Sequence, residues 1–409
     1  MGIKFFFKLF MLLLGVTIVS CKTENKTHGE KNEDVHLKMA ISDTLPWSER
    51  LALSIMKRHP EAWQAEDEIK KEWDYKTGLL LTAFGNLYAH TNQEVYYDYI
   101  KTFADTLIDA SGNIRDYKIE YYNLDLVNSG KILFGLYKST KDDRYLTALK
   151  TLRSQLKTHP RTPSGGFWHK KIYPNQMWLD GLYMGAPYYA QYNTTFENGD
   201  KLDDIAFQFK LIWDHTYDDK TGLLYHAWDE SKQMDWADKT TGKSPNFWSR
   251  SMGWYMMALV DVLDYFPQDH PKRDMLISHL NQLSKTLIKY QDETGLWYQV
   301  TNMPERDGNY LEASGSGMFI YAFAKGVEKG YLPAEYKDAA EKGFKGMVDH
   351  LVEVDKDGEV HITQICKSAG LGGNPYRDGS FEYYISEPIV TDNLHGTGPF
   401  ILAALALNQ

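Results

Sequence analysis

Twelve stretches of this chain carry helical periodicity, and they alternate between two kinds. They fall at about residues 46–58, 77–91, 93–110, 123–138, 142–158, 175–192, 196–217, 248–266, 271–290, 312–329, 334–352 and 391–407, with connections that fit antiparallel neighbours. Odd-numbered members such as 142–158 and 271–290 carry Lys, Arg, Asp and Gln along one stripe, as a helix with a solvent face does. Even-numbered members open instead on Gly- and Trp-bearing sequences: Asn123-Leu124-Asp125, Gln176 to Gly181, Trp248 to Trp254, Glu312 to Gly317 and Asp392 to Gly398. Six inner helices alternating with six outer ones make an all-α chain, an (α/α)6 barrel of six helical hairpins. Small residues let the inner helices approach one another, and their N-termini gather at one end as the mouth of a pocket. A single catalytic domain is expected over residues 45–409.

Strand signals are confined to short runs between helices. Asp74 to Leu79, Asp218 to Leu223, Asp292 to Leu296 and Asp355 to Gly358 share one shape, an Asp that bonds the backbone two residues on, followed by a turn glycine. Such a turn delivers the chain into an extended segment such as Leu223 to His226 or Leu296 to Tyr298. None of the four carries the alternating ligand series of a calcium loop.

The first residues read as an address. Met1 to Lys8 is basic without an acid, Leu9 to Ser20 is largely apolar, and Ile18-Val19-Ser20-Cys21 places a small residue before a cysteine. Residues 1–20 resemble a bacterial lipoprotein signal peptide, with Cys21 as the lipid-bearing residue and 21–44 as a flexible tether. The apolar run is too short to span a bilayer. The expected location is therefore the bacterial cell envelope, exported and lipid-anchored at the outer membrane on its periplasmic or surface side. An uncleaved anchor is the alternative. Cys366 is the one other cysteine, so no internal disulfide forms. A net charge of −10 argues against nucleic acid and against an anionic membrane surface, leaving the lipid as the sole membrane contact. The 11 Trp and 28 Tyr offer flat apolar faces with polar edges, which suit sugar rings, although many must be core.

If the inner helix ends converge, they bring together Asp125, Asp180, His169, Lys170, His226 and Arg250 with the aromatics Trp178, Trp228 and Trp254. Paired carboxylates in different environments let one hold a proton while the other stays ionised. Asp180, among Trp178, Leu179, Leu182 and Tyr183, is expected to have the raised pKa, through burial and a nearby like charge. A simple helix-start cap is the other reading of Asp180. Asp125, beside Asn123 and Asn128, either stays ionised or caps its helix and positions water. Arg250 and Trp254, four apart, share a helix face and offer a fork for a carboxylate beside a ring for a sugar; a packed Arg–Trp pair is the alternative. His169, Lys170 and His226 are read as binding substrate hydroxyls or carboxylate, or as structural. No His-Glu-x-x-His and no Cys/His cluster is present, so no metal and no cofactor is expected. Gly315-Ser316-Gly317 has no strand before it, and Gly370 to Gly373 lacks the Lys-Ser/Thr of a phosphate loop.

The ordered series Tyr122 to Asp125, Trp168-His169-Lys170, Tyr173-Pro174, Gln176 to Met184, Tyr225 to Asp229, Phe247 to Arg250 with Gly253-Trp254-Tyr255, and Glu312 to Gly315 resembles the unsaturated glucuronyl/rhamnogalacturonyl hydrolases of glycoside hydrolase family 105, relatives of family 88. The resemblance spans roughly residues 45–407. It implies an (α/α)6 barrel and removal of a 4,5-unsaturated uronic acid from the nonreducing end of an anionic oligosaccharide supplied by an upstream polysaccharide lyase. It further implies Asp180 as the acid that protonates C4 and activates water for C5, and Asp125 as the second essential carboxylate. His169, Lys170, Trp178, His226, Arg250 and Trp254 then fall at substrate-contact positions. Ser251-Met252, where many relatives carry Gly-Asn or similar, is a departure that bears on the next sugar. Pectin rhamnogalacturonan fragments and ulvan fragments ending on sulfated rhamnose are both expected substrates. A polysaccharide lyase on the same barrel and a carbohydrate-binding lipoprotein are the competing readings.

Overall fold

All twelve expected helices form in the protein, a computed structural model that describes residues 40–66 and 68–409. The expected signal peptide, Cys21 and the tether as far as residue 39 lie outside the described residues. In chain order the helices are α1 (Trp47–Arg58), α2 (Tyr75–Thr91), α3 (Glu94–Leu107), α4 (Asp125–Asn128), α5 (Lys131–Thr140), α6 (Asp143–Thr158), α7 (Leu179–Phe196), α8 (Leu202–Thr216), α9 (Ser249–Val262), α10 (Arg273–Leu287), α11 (Ala313–Glu328), α12 (Tyr336–His350), α13 (Phe381–Ser386) and α14 (Leu394–Leu407).

The inner ring is α2, α4 with α5, α7, α9, α11 and α14, each packed on the next, and α14 returns to α2 to close it. One outer helix lies against each inner one: α3 on α2, α6 on α5, α8 on α7, α10 on α9, α12 on α11 and α1 on α14. This is the (α/α)6 barrel, in a single unit over Ala40–Gln409. The two helix kinds differ in burial as their sequences dictate. In α9 every residue except Asp261 is buried, because a helix surrounded by others has no wet face. Along α6 only Tyr145, Ala148, Leu149, Leu152, Leu156 and their neighbours on one stripe go inward. Glycine permits the closest approach between α9 and α11. A Cβ at Gly253 would lie 2.7 Å from Met318 Cβ, and one at Gly315 2.8 Å from Ser249 Cβ. Alanine at either place overpacks the seam at a cost of about 1–3 kcal/mol.

Three departures bear on the site. The expected helix 123–138 breaks at Ser129-Gly130 into α4 and α5, because a side chain at Gly130 would strike Leu152 and Tyr188, and the backbone tightens into i→i+3 bonds there. The helix expected from 175 starts at Leu179, since Gln176–Trp178 pairs as a strand. The run Asp74 to Leu79 begins a helix rather than a turn into a strand: the Asp74 carboxylate caps α2 by accepting from Lys76 N–H at 2.8 Å. The turns at Asp218, Asp292 and Asp355 form as expected, each Asp bonding nearby backbone N–H groups ahead of Gly222, Gly295 and Gly358 at positive φ.

The segments that lead into the inner helices are extended and pair in sequence round the mouth. Asn123 bridges Lys170, Trp178 pairs with Ala227, Trp248 bridges Val300, and Ala313 N–H donates to Gln364. The pairing fixes which side chains meet at the helix N-termini.

Candidate active site

Asp180 is the second residue of α7, immediately after strand β1 (Gln176–Trp178). This strand runs antiparallel to β2 (Ala227–Asp229), with Trp178 opposite Ala227. Leu179 N–H continues the pairing by donating to the His226 carbonyl at 3.1 Å. Strand register thereby carries His226 to Asp180, and its Nε2 lies 3.1 Å from Asp180 Oδ2. The other ring nitrogen, Nδ1, faces the Tyr384 hydroxyl of α13 at 2.7 Å.

Asp125 opens α4 by the same device. Leu124 N–H donates to the His169 carbonyl at 3.2 Å, which sets the His169-Lys170 pair beside Asp125. Lys170 Nζ makes a close ion pair with Asp125 Oδ2, and His169 Nε2 lies 3.5 Å from Oδ1. Both carboxylates are almost fully buried, and each has its own nitrogen partner.

The electrostatics differ from expectation at Asp180. Burial, the largest single influence, would raise its carboxyl, but His226, through its charge and hydrogen bonding, together with His169 and a backbone N–H outweighs burial and holds it below the ordinary carboxylate value. Asp125 does not supply the expected like charge, because Lys170 compensates it. Burial likewise would lower the Lys170 ammonium, yet Asp125 outweighs it and the amine stays above its usual value. At His169 burial prevails over the opposing charges of Asp125 and Asp180 and pushes the ring down to about 4, so it is neutral near pH 7. The site therefore holds one carboxylate paired with a lysine, and one carboxylate and imidazole 3.1 Å apart.

Trp178 stacks with both His169 and Tyr173, at ring separations of 4.6 and 4.8 Å, the latter two rings being parallel to each other and 6.3 Å apart, and it meets the edge of His226 at 5.2 Å. Its indole N–H donates to Gln176 Oε1, which fixes the ring. Trp228 is not part of this wall: alternation along β2 turns it to the other face, where it stacks on His215 at 3.8 Å and its N–H donates to Thr241.

Arg250 is buried at the start of α9 and largely committed to the protein. Its Nε donates to Ser314 Oγ at 2.6 Å, and Nη2 donates to the Cys366 carbonyl and sits 3.5 Å from Glu312 Oε1. The ring beneath the guanidinium is Trp248, at 5.2 Å, rather than Trp254. Trp254 instead stacks on Tyr183 at 4.9 Å. Two of the three guanidinium nitrogens are thus occupied, so the expected two-pronged grip on a substrate carboxylate is replaced by a charge held rigidly at the site wall.

Four groups at this end escaped the sequence reading. Tyr384 lies on a short helix that the periodicity did not reveal. Tyr75, in a run read as a turn, has its hydroxyl 2.7 Å from His395 Nε2, and His395 Nδ1 is 2.8 Å from Asn393 Oδ1. Burial holds His395 well below its usual pKa. Glu312 is wholly buried and accepts from Gly315 N–H, Ser314 and Cys366 N–H. A glutamate before a Gly-Ser helix start was the available signal for the last.

Comparison with known proteins bears on what such a site does. The model of Glycosyl Hydrolase Family 88 matches residues 47–408. A Clostridium acetobutylicum glycoside hydrolase of family 105 superposes with a TM-score of 0.86 at 46% identity, covering 89% of this chain and 99% of that one. The unsaturated rhamnogalacturonyl hydrolase YesR of Bacillus subtilis is 27% identical over 316 residues, 75% of this chain and 84% of that protein. An unsaturated 3S-rhamnoglycuronyl hydrolase of Alteromonas is 26% identical over 228 residues, 56% of this chain and 50% of that protein.

Proposed function

This chain belongs to Glycosyl Hydrolase Family 88 together with its family 105 relatives and is a glycosidase of the unsaturated-uronyl type; we propose that it removes a 4,5-unsaturated uronic acid from the nonreducing end of rhamnose-containing oligosaccharides made by a polysaccharide lyase. The observation that carries the reading is the Asp180–His226 contact of 3.1 Å, a carboxylate beside an imidazole, both buried among aromatic rings.

In the proposed reaction His226 supplies a proton that passes through Asp180 to C4 of the substrate enol ether. Asp180, again a carboxylate, takes a proton from the water that adds its oxygen to C5, and returns it to His226. The C5 hemiketal opens by breaking its bond to the ring oxygen, which leaves a ketone at C5 and a hemiacetal at C1. That hemiacetal collapses to an aldehyde and releases the next sugar. Asp125, paired with Lys170, orients the water or a sugar hydroxyl. Trp178 supplies a ring wall, and Arg250 sets a fixed positive charge facing the anionic substrate.

YesR spans most of the same length as this chain, so rhamnogalacturonan fragments are the favoured substrate. Absorbance of the conjugated double bond tests the reading on a panel of unsaturated rhamnogalacturonan, ulvan and glycosaminoglycan disaccharides. It should fall fastest on the first. A faster fall on ulvan disaccharide moves the substrate to sulfated rhamnose, and a rise on intact polymer makes the protein a lyase instead. Export and a lipid on Cys21 belong to the same proposal and rest on residues 1–21. Incorporation of labelled palmitate, lost in Cys21→Ser, tests them.

A further inference from the structure

The barrel is hollow at its other end as well. Between the C-terminal halves of the inner helices lies a solvent-open cavity of about 590 Å3, walled by α2, α5, α7, α9 and α11 and by Tyr97 and Ile100 of the outer helix α3. That volume falls within the roughly 300–1,000 Å3 of small-molecule sites. The catalytic groups sit at the opposite helix ends and do not line it.

One buried polar group on the wall of this cavity lacks a hydrogen-bond partner. Lys131 has a buried Nζ with no acceptor, 3.7 Å from the centre of the Tyr183 ring. A buried amine without an acceptor is costly unless something else supplies one. Burial pushes the Lys131 amine down to about 7, so its charged and neutral forms coexist near neutrality. Across the cavity, Lys325 is bonded to Asp261 at 2.8 Å and to Asp264 at 2.7 Å, and Tyr321 donates to Asp261 at 2.8 Å.

The wall is also kept bare. Gly135 lies inside α5, yet a Cβ built there meets nothing within 4 Å, and one at Gly85 of α2 meets only Ile100, at 3.9 Å. An interior helix glycine lowers helix stability, and neither has a close-packed neighbour to explain it. Both line the cavity, where a side chain would fill it. The exposed edges of Tyr88 and Tyr97 add aromatic faces.

We propose that this rear chamber is a second binding site, for a neutral monosaccharide or comparable polyol. Hydroxyl groups donate to Asp261 and Asp264 and accept from Lys131, and the apolar face of a pyranose lies on the lining tyrosines. A uronate would have to compete with Asp261 and Asp264 for Lys325, whereas a neutral sugar leaves those pairs intact, which separates this ligand from the anionic part of the substrate. The inference stands on the chamber and not on the reaction proposed for the catalytic end.

Isothermal titration of the full chain with L-rhamnose, D-galactose and D-xylose, with D-glucuronate as the anionic control, tests it. At least one neutral sugar should bind saturably in the millimolar range or tighter, and glucuronate should bind more weakly. Gly135→Leu, which fills the chamber and strengthens the helix, should weaken that binding by at least about tenfold and leave turnover of an unsaturated disaccharide unchanged. Lys131→Met, tested in parallel, should weaken it as well. No saturable binding of any neutral sugar means the chamber holds solvent alone, and binding that survives both variants places the sugar at the catalytic end; either result overturns the proposal.

Discussion

His226 Nε2 lies 3.1 Å from Asp180 Oδ2 while Nδ1 of the same ring faces Tyr384 at 2.7 Å, so the imidazole links the acid to a tyrosine that never reaches the substrate side of the pair. If His226 stores the proton that Asp180 delivers, His226→Gln should lower kcat by roughly 10²–10⁴. Tyr384→Phe should cost about tenfold, about 1.4 kcal/mol, by loosening the ring. In both variants the loss should fall on kcat with KM little changed, and in Tyr384→Phe the pH profile should shift. Steady-state kinetics from pH 4 to 9 checks this; a Tyr384→Phe loss confined to KM would place the hydroxyl in binding instead.

Much of this was legible in the sequence, and what was not has a physical cause. Small and aromatic helix openings gave the inner ring, and Asp125, Asp180, His169, Lys170, Trp178 and His226 do meet at its mouth. Which acid faces which base was hidden, because strand register decides it. The pairing of Trp178 with Ala227 joins segments far apart in the chain and delivers His226 to Asp180, which reversed the expected direction of the Asp180 shift. The same pleat turned Trp228 away from the pocket. Arg250 read as a substrate fork because its partners Glu312, Ser314 and the Cys366 carbonyl come from two later segments.

Lys170 and Asp125 form an ion pair with little solvent to screen either charge. Lys170→Met leaves Asp125 buried and uncompensated and should cost about 3–5 kcal/mol of stability. Asp125→Asn added to Lys170→Met should recover most of that loss, although not activity. Urea unfolding of the two single variants and the double variant measures the coupling; strictly additive losses contradict it.

Glu312 should prove equally structural. Its carboxylate takes three protein hydrogen bonds and faces the buried Arg250 charge, so Glu312→Gln, which puts an amide donor among donors, should lose about 2–4 kcal/mol. A thermal melt unchanged from the parent would show that the cluster rearranges freely.

Stability should fall on mild acidification. His159, His169 and His279 are each pushed by burial down to about 4, from an ordinary value of 6.5. The unfolded chain binds protons that the folded one refuses, so the stability these neutral rings support is complete above pH 6.5 and is lost as pH falls towards 4. Each contributes on the order of 3 kcal/mol to that loss. Melting temperature should drop steeply between pH 6.5 and 4.5, and His279→Gln, remote from the catalytic acids, should flatten the slope. A melting temperature level across that window contradicts the assignment.

The account turns on Asp180. The most direct measurement is the rate at which purified protein removes the double-bond absorbance of an unsaturated rhamnogalacturonan disaccharide, compared between the parent and Asp180→Asn, with matching circular dichroism as proof of fold. The parent should consume the chromophore, and Asp180→Asn should be slower by at least about 10³-fold. Equal rates in the two proteins would remove Asp180 from the chemistry and the proposed reaction with it.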